Sequence, residues 1–124
     1  MIEIISYQRR WPEEFRLIAT KIKMSIDGVA LAIHHIGSTS VPSLVAKDVI
    51  DIQVTVADLE APIEKSLRQI GFEATEIQHE HCPVGMTLSE NELTKRFYRG
   101  LNRPVNLHIR RQGAFNRYEK NLYL

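Results

Sequence analysis

At 124 residues, 44% of them apolar and 25% charged, the chain has the composition of one folded domain large enough to bury a core. Sixteen Lys and Arg against fifteen Asp and Glu leave a net charge of +1, which argues against nucleic acid or an anionic membrane as the main partner. The single cysteine, Cys82, excludes an intrachain disulfide framework. There is no apolar run of roughly 20 residues and no signal-peptide pattern at the start, so a cytoplasmic protein without a membrane span is expected.

No internal repeat or linker-like stretch interrupts the chain, and one domain over 1–124 is the simplest organisation. Trp11, Phe15, Ile18 and Ile22 recur at helical spacing. Pro12 and Glu13-Glu14 suit the helix start, and Gly28 can end it. The near-continuous apolar run Val29–Ile36, broken only by His34-His35, predicts a buried strand. Gly37-Ser38-Thr39-Ser40 then reads as a tight turn opening a short helix, with Ser40 as N-cap and Pro42 inside the first turn.

Val49–Val56 alternates cleanly. Ile50, Ile52, Val54 and Val56 share one face, while Val49, Asp51, Gln53 and Thr55 share the other. Asp58 is placed to cap a second helix with the face Leu59, Ile63, Leu67 and Ile70, stopped by Gly71. Short strand-like pieces follow at Phe72–Ile77, Val84–Leu88, Lys95–Arg99 and Val105–Arg110. In the last, Asn106, His108 and Arg110 alternate with Val105, Leu107 and Ile109. A final helical segment is expected after Gly113-Ala114. It stops abruptly on Asn121-Leu122-Tyr123-Leu124, as though a longer parent chain had been cut or the end packed against something.

The chemistry concentrates in two places. A Gly-Ser turn with three hydroxyls at a strand end offers donors to an anion, which marks Gly37, Ser38, Thr39 and Ser40 as a phosphate site. A strand has no folding reason to carry an ionised carboxylate unless it is paired or bound, so Asp51 is either a ligand-binding residue or half of a salt bridge with Lys47, Arg96 or Arg99. Asp48 reads as an ordinary loop residue. Lys47 is a candidate point charge for phosphate. Arg96 and Arg99 are candidates too, but alternation aims them oppositely, so at most one faces the site. His108 could be a general base, a metal ligand or a hydrogen-bonded strand histidine. His79 and His81 have no second ligand pair at zinc spacing.

The segment Ile36-Gly37-Ser38, followed after twelve residues by Asp51-Ile52-Gln53-Val54, is similar to the layout of nucleotidyltransferase-fold proteins. The longer run from His35 through Ile52 closely resembles the signature of the GrpB-like family, supported by Trp11-Pro12, Lys95–Arg99 and Asn106-Leu107-His108-Ile109. That family is placed in the nucleotidyltransferase fold, usually continues beyond the point where this chain stops, and includes domains fused to dephospho-coenzyme A kinase. The resemblance implies that the turn holds nucleotide phosphate while Asp51 and Gln53 hold Mg²⁺. Three departures stand out. Gln53 is a weak oxygen ligand where transferases carry a second carboxylate, and His108 stands where a third would be sought. Ser43 replaces a common glycine.

The expected fold is therefore α/β (α+β), a mixed sheet with helices mainly on one face and a nucleotidyltransferase-like topology. Its open face would carry Ser38, Asp51, Gln53 and His108. The leading functional expectation is a nucleotide-dependent transferase in which Asp51 binds Mg²⁺ and His108 assists proton transfer. The alternative is a non-catalytic module that binds a nucleotide, a coenzyme A-related molecule or another phosphate-bearing small molecule.

Overall fold

Alternating strands can bury one face and leave the other polar, and that is the organising fact of the computed structural model, which describes residues 3–76, 78–79, 82 and 84–114. Five strands form a mixed sheet: β2 (Ala30–Ile36), β4 (Ile50–Val56), β5 (Phe72–Ala74), β6 (Lys95–Gly100) and β7 (Val105–Arg111). Their spatial order is β2-β4-β7-β6-β5, with β4 and β7 parallel and every other neighbour antiparallel. A two-stranded antiparallel ribbon joins β1 (Ile4–Ile5) to β3 (Ala46–Lys47).

Helices α1 (Arg10–Ser25) and α2 (Glu64–Gln69) cover one side of the sheet. Trp11 and Ile22 from α1 and Leu67 from α2 bury completely against Ile50, Ile52, Val54, Val56, Leu107 and Ile109. Burying a side chain of this size contributes roughly 1.5–3 kcal/mol, so this layer holds the sheet in shape. No described helix is long and apolar enough to cross a membrane.

Several sequence expectations change in three dimensions. β2 is an edge strand, so of Ala30–Ile36 only Ile36 is fully buried. The turn after it is a single 3₁₀ turn, Ser38–Ser40, flanked by Gly37 at φ +74°, and no helix continues through Pro42. Ser40 is not an N-cap; its hydroxyl donates back to the Gly37 carbonyl. Ser43 stands at φ +68°, the one described non-glycine residue in the left-handed region, where glycine would be unstrained.

The helix expected from Asp58 starts only at Glu64. Pro62 biases Ala61 away from helix, the Asp58 carboxylate accepts the Glu60 amide as a turn, and Arg96 takes the carbonyls of Leu59 and Ala61. Val84–Leu88 is not a strand: Val84 and Gly85 lie in a turn, and the Val84 side chain is fully exposed, with no sheet neighbour to cover it. Instead Ser89 and Glu92 form a capping box that starts α3 (Glu90–Leu93), a pattern already present in Ser89-Glu90-Asn91-Glu92. β5 ends at Ala74; Ile77 and the segment from 115, where the last helix was expected, lie outside the described residues.

Candidate functional site

Residues paired across neighbouring strands share a face, so the register lays out the polar side of the sheet, away from α1 and α2, in rows. The expectation of an open face does not hold at Gln53, Lys95, Phe97 and Arg110, which are buried. At one end stand Ile36, Asp51, Asn106, Arg99 and Glu73. The middle row is His34, Gln53, His108 and Phe97. The far row is Ala32, Thr55, Arg110 and Lys95. This face has a polar or charged group in almost every position, whereas the opposite face is the core.

Asp51 sits at the end of the sheet nearest the Gly37 turn. Asn106 Nδ2 donates to its Oδ1 at 3.0 Å. Its Oδ2 lies only 2.6 Å from where a Cβ on Gly37 would stand, so the turn backbone and the carboxylate can meet only because residue 37 has no side chain. None of the three cations considered as salt-bridge partners pairs with it. Lys47 is exposed on β3, Arg96 lies on the helix-covered face, and Arg99 shares the row of Asp51 with its guanidinium 5.9 Å from the Phe97 ring centroid. Arg99 makes no ion pair with a described residue.

The turn residues divide. Thr39 is buried and its hydroxyl is 2.9 Å from His35 Nε2, while the His35 ring stacks on Phe15 with centroids 4.8 Å apart. Burial holds the His35 imidazole below its usual range, so this pair braces the turn from behind. Ser40 is engaged with Gly37. Ser38 alone presents an exposed hydroxyl.

Gln53 is 1% exposed, and its Oε1 accepts from Arg110 Nη1 at 2.5 Å. His108 lies between Lys95 and Asp51. Its Nδ1 is 3.2 Å from Lys95 Nζ and its Nε2 is 3.9 Å from Asp51 Oδ1, beyond hydrogen-bond length. Burial pushes this imidazole below its usual range; Arg110 and Lys95 push the same way, and the Asp51 side opposes them.

Mg²⁺ demands several oxygens in near-octahedral geometry, from one or more carboxylates with water and phosphate. Among the described residues this face supplies one carboxylate beside the turn, and the Gln53 oxygen is already held by a guanidinium. Three cationic side chains, Lys95, Arg99 and Arg110, share the face. No cluster of three His, Cys, Asp or Glu side chains suited to a metal occurs among the described residues. The donor set does not fit a resident Mg²⁺, and Gln53 is better described as the partner of Arg110.

Sequence reasoning left out Asn106, Lys95 and Arg110 as site residues. The alternation Lys95-Phe97-Arg99 and Asn106-His108-Arg110 carried the signal, because each set occupies one strand face.

Comparison with known proteins follows the same outline. The sequence model of the family described as "GrpB protein" matches residues 1–124. A UPF0157 protein of Halalkalibacterium halodurans is 32% identical over 116 residues, covering 91% of this chain and 53% of that protein. A UPF0157 protein of Streptomyces coelicolor is 32% identical over 124 residues, covering 98% and 59%. A protein of Mycobacterium tuberculosis named dephospho-CoA kinase is 32% identical over 120 residues, covering 83% of this chain and 30% of that one. The crystal structure of GrpB from Enterococcus faecalis superposes with a TM-score of 0.71 at 28% identity, covering 96% of this chain and 66% of that chain. The chain spans 53–59% of the length of the two UPF0157 relatives. On the whole-length family match, the chain belongs to the GrpB protein family.

Proposed function

We propose that the polar sheet face binds a phosphate-bearing small molecule of the nucleotide or coenzyme A class, at the end where the Gly37–Ser38 turn meets Asp51. One observation carries this reading: the row that begins with Asp51 against that turn runs through Asn106 on β7 to Arg99 on β6, whose guanidinium has no ion-pair partner among the described residues. A guanidinium is suited to bidentate contact with phosphate. The exposed Ser38 hydroxyl adds a second donor. Asp51, held by Asn106, accepts a hydroxyl of the ligand such as a ribose hydroxyl. Arg96 belongs to the opposite face and takes no part; Thr39 and Ser40 shape the turn.

The kinship with proteins named dephospho-CoA kinase supports a ligand of this chemistry. The shortage of carboxylates favours binding over nucleotidyl transfer. Calorimetric titration of ATP and of coenzyme A tests the reading. Binding to wild type should weaken about tenfold in Arg99→Ala, the loss of one charge-assisted contact. Failure of both ligands to bind, or wild-type affinity in both Arg99→Ala and Asp51→Asn, overturns it.

A further inference from the structure

Two groups that can only donate hydrogen bonds converge on one nitrogen of His108. Lys95 Nζ lies 3.2 Å from Nδ1, and Arg110 Nη2 lies 3.5 Å from the same atom. An ammonium and a guanidinium carry N–H donors and no acceptor, so Nδ1 must present its lone pair. The other nitrogen, Nε2, faces Asp51 Oδ1 at 3.9 Å, and an ionised carboxylate only accepts. Donors at one end of the ring and an acceptor at the other select the same form, a neutral imidazole with its proton on Nε2.

The surroundings hold this arrangement in place. Lys95 is 7% exposed, and its ammonium lies 5.3 Å from the centroid of Phe97. Phe97 pairs with His108 across β6 and β7, their rings 4.8 Å apart, so ring and ammonium stem pack as a unit. Arg110 is tied to Gln53 on its far side. Arg110, like Lys95, is buried, at 3% exposure.

We propose that Lys95 is a positioning residue that locks His108 as the Nε2–H tautomer, making His108 a fixed hydrogen-bond donor beside Asp51. The sequence leaves His108 open as a general base, a metal ligand or a hydrogen-bonded strand histidine, and the first of these needs a proton acceptor. The lone pair such a role needs is at Nδ1, turned away from Asp51 and covered by Lys95 and Arg110. On the ligand reading above, Nε2–H is directed to an acceptor oxygen of the molecule seated against Asp51. The tautomer itself does not depend on that reading.

The test begins without ligand. Two-bond ¹H–¹⁵N spectra of the full chain at neutral pH, with His108 identified by its absence in His108→Gln, should show a pyridine-like Nδ1 and a pyrrole-like Nε2. Lys95→Arg should keep this pattern, and Lys95→Met should move it toward a mixture of tautomers. A wild-type ring protonated at Nδ1, or at both nitrogens, overturns the proposal. An unchanged pattern in folded Lys95→Met does so too; if that variant fails to fold, the wild-type and Lys95→Arg spectra decide.

ATP then serves as probe for the donor role. The Gln amide can stand near Nε2 and donate but cannot act as a base, so His108→Gln should stay within about threefold of wild type while His108→Ala loses about tenfold. Equal loss in both variants would remove the donor role. Wild type that binds no ATP would sink the ligand reading while leaving the tautomer to the spectrum.

Discussion

Asp48, in the bend between β3 and β4, has both carboxylate oxygens taken: Arg10 Nη2 donates to Oδ2 at 2.7 Å, while Trp11 Nε1 and Arg103 Nη2 donate to Oδ1 at 2.8 and 2.7 Å. Asp51, only three positions later, has one hydrogen-bond donor among the described residues, Asn106 to Oδ1, and its Oδ2 rests against the Gly37 turn. The first carboxylate is used up in holding α1 to the start of β4 and to Arg103, which also grips Glu14. The second is held in position and left able to accept more. A saturated carboxylate serves the fold; one with spare acceptor capacity on a polar face is where a ligand can be recognised.

The contrast can be broken from either side. Asp48→Ala should have the largest effect on stability, because it strips the acceptor from the buried Trp11 indole and from Arg103. We expect about 2–3 kcal/mol of destabilisation by denaturant unfolding. Little loss would mean that the network is decorative.

Gly37→Ala should cost about 2 kcal/mol, since the new Cβ must displace the Asp51 carboxylate and the backbone is in the left-handed region. Unlike Asp48→Ala it should also weaken ATP binding, read by calorimetry on the folded fraction.

Acid sharpens the comparison. Hydrogen bonding from Arg10 leads the causes that lower the Asp48 carboxyl from 3.8 to about 2, and hydrogen bonding from Arg103 lowers Glu14. A carboxylate depressed in the folded state contributes stability that is complete above its unfolded value and is lost as pH falls toward its folded value. Stability should therefore decline between pH 3.8 and about 2 on account of Asp48. Its side chain is 39% exposed, so after solvent screening the contribution is about 1 kcal/mol. Asp48→Asn should flatten that part of a pH series of unfolding curves.

Asp51→Asn should have the smallest effect on folding, within about 0.5 kcal/mol, because no described cation depends on it. Its effect belongs in ligand affinity. A large loss of stability with unchanged affinity would make Asp51 a second Asp48.

The two aspartates also show why one was readable in the sequence and the other was not. Asp51 declared itself through the alternation of Ile50–Val56, because a period of two assigns faces without knowing the neighbours. Asp48 sits outside any periodic segment, and its partners Arg10, Trp11 and Arg103 are brought to it by α1 and by the turn before β7. Nothing local distinguishes a loop aspartate at the centre of such a network from a solvated one.

Local pattern determined the mixed helix-and-strand character of the chain, the amphipathic first helix, the core face of β4 and the polar faces of β4 and β7. It also determined that Arg96 and Arg99 must point oppositely. Which of them reaches the site was decided only when β6 paired with β7 and put Arg99 in register with Asn106. The same pairing brought Lys95 to His108, and parallel pairing of β7 with β4 brought Arg110 to Gln53 and Asn106 to Asp51. Side-chain alternation is a property of each strand by itself, so sequence can report it. Partnership depends on strand order and register, which are settled by how the whole sheet buries its apolar face.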